Sequence, residues 1–370
     1  MNAISKKSKI IFCLFVLLFL FSNHRSFAGS DRGPKVLMFT EIDVNYLNDT
    51  IKTWGEKAGI NGFMLTHIAD WWTPRNQLFE NMEILKEMNQ KGALYGVDRN
   101  FIKVALGYKK LPDWTDDKAW AVVIDNFKNI AELARQTGTR GVALDAEPYE
   151  VPFYNSTEAP AKNTLTDFLK TKIRQRGMQI MEALESVFPE IEIVTFPEGA
   201  LYWFNPEQGP NPKEAELWID FFNGLAAGRK KGRIILAAES TYSKTGKDEI
   251  TKTYNLIDKT MRDHVEDPKF WREKCSLAVG MWPLGKTYTD KSARYSVENF
   301  REQFSQSTAL SPEYVWIYDH GSAWFQLTNE EIQKYTANNH SIWDKETQIL
   351  PTDPLIREYY RVVKTRGALK

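Results

Sequence analysis

The stretch GVALDAEPYE, residues 141–150, begins as a run of small and apolar residues and ends in two carboxylates. Because a β-strand alternates its side chains between two faces, Ala143, Asp145 and Glu147 share one face. The two acids therefore point the same way, beside small neighbours that leave room. Pro148 has no backbone N–H and ends the strand directly after Glu147. We predict a buried strand that carries two carboxylates at its end.

Short apolar runs alternate with long amphipathic segments on both sides of this stretch. The pattern is typical of repeated βα units on a parallel sheet. The predicted strands are residues 35–39, 62–66, 93–96, 141–144, 192–195, 233–237, 276–280 and 314–318. The predicted helices are residues 48–58, 77–90, 117–137, 165–188, 213–226, 250–264, 297–306 and 354–365, with a shorter helix at 329–335.

Eight strands alternating with helices, without a low-complexity linker, predict an α/β fold consisting of a single (β/α)8 TIM barrel over residues 29–370. The alternative architecture is an open, doubly wound sheet. A dinucleotide-binding sheet of that kind carries a Gly-rich turn after its first strand, whereas this chain has FTEIDVNYL at residues 39–47. The first turn therefore favours the barrel.

The N-terminus has the features of a secretory signal peptide. Three lysines within residues 6–9 precede an apolar core at residues 10–21, and Ser-Phe-Ala at residues 26–28 offers a cleavage site. We predict a signal peptide over residues 1–28, cleavage after Ala28, and a periplasmic or secreted protein. A retained membrane anchor is the alternative, although the apolar core is short for a membrane span.

Charge and composition restrict the partners. The 48 Lys and Arg residues balance 48 Asp and Glu residues, which excludes the basic footprint of a nucleic-acid binder. Cys13 leaves with the signal peptide, so Cys275 has no cysteine in the mature chain with which to form a disulfide. The 12 tryptophans of an exported, neutral chain indicate an uncharged or weakly charged ligand outside the cytoplasm. After cleavage we expect no membrane partner.

In a barrel of this kind the chemistry lies at the carboxyl ends of the strands, so the residues after each predicted strand are the site candidates. They are Glu41 and Asp43; His67, Asp70, Trp71 and Trp72; Tyr95, Asp98 and Arg99; Asp145, Glu147 and Tyr149; Glu198, Tyr202 and Trp203; Glu239, Ser240 and Tyr242; Trp282; and Asp319, His320 and Trp324. Each acid alone is explained by a helix cap or a solvated ion pair. Acids from several strands that meet at one place form a costly cluster, which indicates a functional site.

Two carboxylates across a sugar ring are the requirement for breaking a glycosidic bond, and aromatic rings offer apolar faces for sugar C–H groups. The strand ends therefore predict an exported glycoside hydrolase that acts on an oligo- or polysaccharide and needs no metal or other cofactor. In order of preference, the catalytic candidates are Glu147, Asp145, Glu239 and Glu198. The substrate-binding candidates are Trp71, Trp72, Tyr149, Trp203, Tyr242, Trp282, Asp319 and Trp324. We assign Trp316 to the core, and Trp54, Trp120, Trp218 and Trp271 to helix packing.

The stretch GVALDAEPY resembles the fourth-strand signature of several TIM-barrel glycoside hydrolases, in which an apolar run ends in Asp-x-Glu or x-Glu-Pro. Similarity to the chitinase-like and muramidase-like barrels implies that Glu147 is the proton donor and that Asp145 orients or tunes it. The fuller chitinase pattern has a further Asp where this chain has Ala143. The resemblance indicates the superfamily and no single family within it.

Two other groups of barrel hydrolases are similar in part. Barrels with acids on strands four and seven share the Glu-Pro sequence but need a Glu after strand seven, where this chain has MWPLG at residues 281–285. In α-galactosidase-like barrels an Asp at the end of strand four is the nucleophile. That resemblance implies Asp145 as nucleophile, with Glu198 or Glu239 as the acid.

Two alternatives remain open beside the glycosidase. A metal-dependent barrel hydrolase would use His67, His320, Asp43 and Asp319 as ligands, although the spaced His pairs typical of zinc sites are absent from the sequence. A carbohydrate-binding barrel without catalysis is the non-enzymatic alternative, because strand seven carries no acid. For Arg99 beside Asp98, an ion pair is favoured over a clamp for an acidic sugar.

Overall fold

The computed structural model describes residues 33–106, 109, 111–147, 167–196, 198, 212–284, 294–319, 324 and 354–367. Eight parallel strands form a closed barrel in sequence order, and the last strand pairs with the first. The strands are β1 (Lys35–Thr40), β2 (Gly62–Leu65), β3 (Phe101–Ala105), β4 (Gly141–Asp145), β5 (Glu192–Phe196), β6 (Arg233–Ala238), β7 (Cys275–Met281) and β8 (Tyr314–Tyr318). The predicted (β/α)8 barrel is confirmed.

Helices connect the strands on the outside of the barrel. They are α1 (Val44–Thr53), α2 (Arg75–Leu78), α3 (Met82–Leu94), α4 (Asp117–Thr137), α5 (Asp167–Val187), α6 (Pro212–Gly228), α7 (Lys247–His264), α8 (Pro268–Lys274), α9 (Val297–Leu310) and α10 (Pro354–Lys364), with a π-helical turn at Trp54–Ala58. Polar side chains cap the N-termini of several helices. Asp116 accepts a hydrogen bond from Ala119 N at the start of α4, and Ser296 accepts one from Asn299 N at the start of α9. Helix α4 has the predicted bounds.

The core has two layers. The outer layer fills the space between strands and helices and contains Trp54, Trp120, Trp218 and Trp271, as predicted. The inner layer fills the barrel. Its members are Leu37, Phe39, Met64, Phe101, Ala143, Val194, Phe196, Ile235, Ala237, Ala278, Tyr314 and Trp316. The assignment of Trp316 to the core is confirmed, and the alternation of inner and outer residues fixes which strand positions face the barrel interior.

The prediction for the third strand was wrong. Residues 93–96 form the end of α3 and the turn after it, where Gly96 has φ +79°, and the strand is β3, residues 101–105. The sequence FIKVA has a lysine at an inward position, which broke the apolar pattern expected of a buried strand. As a consequence, Lys103 lies in a barrel strand at the end where the chemistry was expected.

The same correction moves three candidates to the opposite end of the barrel. Tyr95, Asp98 and Arg99 precede β3 and therefore lie at the amino ends of the strands. Arg99 Nε is 3.7 Å from Asp98 Oδ1, so the favoured ion pair is confirmed. Because Arg99 lies at the amino ends of the strands, it is not placed to clamp a sugar at the carboxyl ends.

Several predictions lie outside the described residues. They are the signal peptide, the short helix at 329–335, and the site candidates Tyr149, Tyr202, Trp203 and His320. Within the described part of the chain, the helices are all too short or too polar to cross a lipid bilayer.

Candidate active site

The inner layer continues into a ring of polar side chains at the carboxyl end of the barrel, here called the mouth. Each member follows an inner-layer residue by two positions and so faces the same way. The members are Lys103 after Phe101, Asp145 after Ala143, Glu198 after Phe196, Glu239 after Ala237, and Tyr318 after Trp316. The predicted catalytic residues Asp145, Glu147, Glu198 and Glu239 therefore meet at one place because the neighbouring strands β4, β5 and β6 end there.

Glu147 and Glu239 are in direct contact at the mouth. Their carboxyl groups share a hydrogen bond, and both residues are partly exposed. Burial of its carboxyl group raises the pKa of Glu239 well above its usual value, and the negative charges of Glu147, Glu198 and Asp145 raise it further. Burial and these charges favour the protonated form of Glu239, so Glu239 is the donor and Glu147 the acceptor of the shared hydrogen bond.

Asp145 lies directly beneath this pair and is completely buried. One carboxylate oxygen, Oδ2, is 2.9 Å from the Lys103 ammonium, and the other, Oδ1, accepts a hydrogen bond from the Glu147 backbone N–H at 3.0 Å. Register in the sheet brings the two side chains together, since Lys103 pairs with Ala143 and Ala105 with Asp145. Asp145 thus supports Glu147 from below and, with no exposed surface, is placed for support rather than for contact with substrate.

Glu198 holds the turn after β6. Its carboxylate accepts hydrogen bonds from the Glu239 backbone N–H at 2.8 Å and from the Ser240 backbone N–H at 3.3 Å, and the Ser240 hydroxyl donates a further one. Burial raises the pKa of Glu198, while these hydrogen bonds oppose the rise. The side chain lies within reach of Glu239 and fixes the backbone from which Glu239 projects.

An aromatic wall, formed by Tyr242, Trp282 and Tyr318, stands beside the carboxyl pair. Tyr242 is stacked on Tyr318 at 6.0 Å between centroids, and Trp282 meets Tyr318 edge-on at 5.3 Å. Two of the predicted substrate-binding residues, Tyr242 and Trp282, are thereby brought together. Burial raises the pKa of Tyr242 well above its usual value, and the negative charges of Glu239 and Glu147 raise it further, so the phenol lies near the carboxyl pair and keeps its proton.

The wall rests on an aromatic floor of Phe39, Phe196 and Trp316. Tyr242 lies 5.2 Å from Trp316, and Tyr318 lies 5.4 Å from Phe39. Strand seven contributes glycine at this level because a Cβ on Gly280 would lie 2.8 Å from the Trp316 ring. A side chain therefore does not fit at Gly280, because the indole of Trp316 occupies that space.

On the β2 side of the mouth, Trp71 and Trp72 form an edge-to-face pair at 5.3 Å, with the Lys109 ammonium 5.5 Å from the Trp72 ring centroid. Asp70 nearby accepts a hydrogen bond from Ala105 N at 3.4 Å, and burial raises the pKa of Asp70 to about 6. The structure thus places these two predicted binding residues together, on a different strand loop from the aromatic wall.

Two predicted substrate-binding residues lie behind the barrel wall instead. Trp324 is fully buried in the outer layer, 5.3 Å from Tyr359 and 5.9 Å from Phe300. Asp319 follows Tyr318 and so points outward, and burial raises its pKa well above the usual value. The structure does not bring either side chain to the aromatic wall.

Sequence reasoning missed Lys103 and Tyr318 as site residues. Lys103 was hidden by the wrong third strand, and Tyr318 is the last residue of the predicted strand 314–318, whereas the site candidates were sought after each strand. Both follow an inner-layer aromatic residue by two positions, so the period of a barrel strand is the signal that identifies them.

The alternative metal site finds little support in the described part of the chain. Asp43, one of its four ligands, caps α1 by accepting a hydrogen bond from Asn45 N at 2.7 Å. Among the described residues, no group of three or more His, Cys, Asp or Glu side chains is arranged to hold a metal ion.

The sequence matches no protein-family model and no curated protein. Solved structures share the fold. The exo-beta-1,4-mannosidase Op5Man5 from Opitutaceae bacterium strain TAV5 is 12% identical over 92% of this chain and 61% of its own length, with a TM-score of 0.50. A GH18 chitinase from Pseudoalteromonas aurantia is 12% identical over 84% of this chain and 98% of its own, with a TM-score of 0.42. A D-allulose 3-epimerase from Methylomonas sp. is 11% identical over 90% of this chain and 98% of its own, with a TM-score of 0.45. At these identities the likeness shows the fold alone.

Proposed function

We propose that this protein is a glycoside hydrolase that cleaves O-glycosidic bonds in an oligo- or polysaccharide. The observation that carries the proposal is the hydrogen-bonded pair of Glu147 and Glu239 at the mouth of the barrel, beside a wall of aromatic rings. Glycosidic cleavage needs one carboxyl that holds its proton and a second that is ionised, and this pair supplies both.

Glu239 is the general acid of the proposed reaction. Burial and three neighbouring negative charges raise its pKa, so it keeps a proton at neutral pH for the leaving glycosidic oxygen. Glu147 accepts the hydrogen bond, and we assign it the role of the second carboxyl of the reaction. The chitinase-like resemblance implies that Glu147 is the proton donor. In the reaction proposed here Glu239 has that role, and Glu147 is its partner.

The contact between the two carboxyls favours retention of configuration. Retaining glycosidases have carboxyl groups about 5–5.5 Å apart, and inverting ones about 6.5–9.5 Å apart to admit a water molecule. Groups that share a hydrogen bond are nearer the first geometry. Glu147 attacks the anomeric carbon while the proton of Glu239 moves to the departing oxygen. Glu239 then takes a proton from water, whose oxygen displaces Glu147 and releases the sugar.

The aromatic wall gives the sugar its binding surface. Trp282 is partly exposed and is held on edge by Tyr318 and Tyr242, so its ring is fixed without substrate. An apolar face of this kind binds the C–H face of a sugar, while the Tyr242 hydroxyl is placed to hydrogen-bond near the carboxyl pair. The predicted signal peptide would put this site outside the cytoplasm, where its partner is an extracytoplasmic glycan and no cofactor is required.

The test is release of reducing ends from a panel of bacterial and plant polysaccharides. Glu147→Gln and Glu239→Gln should each lower turnover by about 10²–10⁴-fold, the usual contribution of acid–base catalysis. Asp220→Asn is the matched control: burial also raises the pKa of Asp220 to about 6, but Asp220 lies on the outer helix α6. Wild-type turnover in either Glu variant would contradict the assignment.

A carbohydrate-binding barrel without catalysis is the second candidate, favoured by the lack of an acid at the end of strand seven, where the chain has MWPLG at residues 281–285. In that case no glycan of the panel releases reducing ends, whereas Trp282→Ala weakens binding on a glycan array. Binding that survives Trp282→Ala would argue against the aromatic wall as the sugar surface.

A further inference from the structure

Lys103 is a buried cation inside the barrel. It faces inward from the middle of β3, and its side chain is 8% exposed. Its ammonium lies 5.5 Å from the Phe39 ring centroid, at the level of the aromatic floor. Removing a lysine from water is costly unless a partner compensates the charge. The position therefore needs a structural or chemical reason.

A continuous series of contacts leads from Lys103 to the proposed reacting pair. Lys103 Nζ is 2.9 Å from Asp145 Oδ2, and Asp145 Oδ1 accepts the backbone N–H of Glu147 at 3.0 Å. The Glu147 carboxylate in turn shares a hydrogen bond with Glu239. Both oxygens of a single buried carboxylate are thus used, one toward the lysine and one toward the turn that carries Glu147.

We infer that Lys103 is a positioning residue of the proposed glycosidase site: its ion pair with Asp145 fixes the Asp145 carboxylate so that Glu147 is held against Glu239. The inference rests on the proposed function for its effect on turnover, and on the three contacts for its geometry. Without the ammonium, the Asp145 side chain is free to rotate away from the Glu147 N–H. The turn then loses the constraint that sets the Glu147 side chain.

Other charged groups also face Lys103 and must be considered in any test. On the β2 loop, the charge of Lys103 lowers the pKa of His67 and opposes the rise in the pKa of Asp70. The pKa of Glu239 is raised by burial and by the negative charges of Glu147, Glu198 and Asp145. Removing the positive charge of Lys103 would by itself raise this pKa, so a fall in the pKa of Glu239 after substitution of Lys103 reports on the position of Glu147.

The kinetic test uses Lys103→Met, Asp145→Asn and the double variant. Methionine keeps the length of the lysine chain and removes the charge. Misplacing a reacting group by about 1 Å costs about 10²-fold, so we expect Lys103→Met to lower kcat by about that factor. We expect KM to change by less than about threefold, because the aromatic wall is untouched.

If Lys103 acts through Asp145, the two losses do not multiply, and the double variant is about as active as Asp145→Asn alone. Lys170→Met is the matched control, since Lys170 forms an ion pair of 2.8 Å with Glu216 on the outer helices. Should Lys103→Met fail to fold, the comparison of the double variant with Asp145→Asn still decides, because the double variant has no unpaired charge at this pair.

A second readout is independent of turnover. Glutamate labelled with ¹³C at the side-chain carboxyl allows Glu239 to be titrated by NMR, with Glu239→Gln for assignment. Loss of the contact with Glu147 removes one cause of the high pKa of Glu239. Glu239 should therefore titrate at lower pH in Lys103→Met than in wild type or in Lys170→Met.

The outcomes separate the two proposals. Non-additive losses in kcat together with the lowered titration of Glu239 support the positioning role. Turnover of Lys103→Met within threefold of wild type, or losses that multiply in the double variant, would overturn it. If wild type cleaves no glycan, the proposed function fails, and the NMR titration alone decides on Lys103. An unchanged pKa of Glu239 in Lys103→Met would overturn the inference, and a lowered pKa would support it.

Discussion

At the scale of single residues, the site depends on where one proton resides. Three carboxylates of the mouth raise the pKa of Glu239, and the hydrogen bond to Glu147 stabilises its protonated form. Asp145 accepts a hydrogen bond from the backbone N–H of Glu147, and Glu198 accepts one from the backbone N–H of Glu239. The proposed reacting pair is therefore supported from below by two further acids.

The charge of Asp145 should appear in the pH dependence of catalysis. An acid catalyst is active while protonated, so activity is lost as pH rises through the pKa of Glu239. Asp145→Asn removes one negative charge that raises this pKa, and the alkaline limb of the kcat/KM profile should move to lower pH. Asp220→Asn is the control, because Asp220 lies on the outer helix α6, away from the mouth. An alkaline limb that stays in place in Asp145→Asn would contradict this electrostatic account.

At the opposite end of the barrel, polar residues serve stability. Tyr314 donates a hydrogen bond of 2.6 Å to the buried Glu192, which also pairs with Arg140. Tyr314→Phe leaves a buried carboxylate oxygen without this donor and should lower the free energy of unfolding by about 1–3 kcal/mol. Denaturant unfolding measures the loss. Turnover per folded molecule should be unchanged, and a large fall in kcat would show that this end contributes to the reaction.

At the scale of elements, β7 and β8 fit together through a single glycine. A Cβ on Gly280 would lie 2.8 Å from the Trp316 ring and 2.5 Å from Ala238 O. Because Trp316 supports Tyr242, the fit of these two strands also sets the aromatic wall. The glycine on strand seven and the inward tryptophan on strand eight are thus parts of the same packing arrangement.

Gly280→Ala should therefore lower both stability and sugar affinity. Overpacking of this kind costs about 1–3 kcal/mol of unfolding free energy, and a displaced Trp316 would push Tyr242 from its place. Gly246→Ala is the matched control: its Cβ would meet nothing closer than 3.7 Å. Thermal unfolding and glycan binding give the two readouts. A Gly280→Ala protein as stable as Gly246→Ala would contradict the packing argument.

The elements also show what sequence reasoning could find. Strand four was predicted from its small residues and its terminal acids, and the alternation that placed Asp145 inward holds in the structure. Strand three was missed because Lys103 interrupts an otherwise apolar run, and only its ion pair with a neighbouring strand explains a lysine there. Trp324 shows the same limit: its position after a strand suggested the mouth, whereas its packing partners lie on α9 and α10.

At the scale of the whole molecule, the barrel separates stability from chemistry. Arg140, Glu192 and Tyr314 form a network at the amino ends of the strands, whereas the acids, Lys103 and the aromatic wall meet at the carboxyl ends. The closed sheet makes this possible, because residues far apart in the chain become neighbours around a ring. Glu147 and Glu239 are brought together in this way from strands four and six.

The most direct test of the account is a double-mutant cycle on that pair. Two carboxyls that share one proton act as a unit, so their losses should not add. Turnover of the best glycan substrate is measured for wild type, Glu147→Gln, Glu239→Gln and the double variant. We expect turnover to fall by about 10²–10⁴-fold in each single variant, and the double variant to be as active as the less active of the two single variants. Wild-type turnover in either single variant, or losses that multiply in the double, would contradict it.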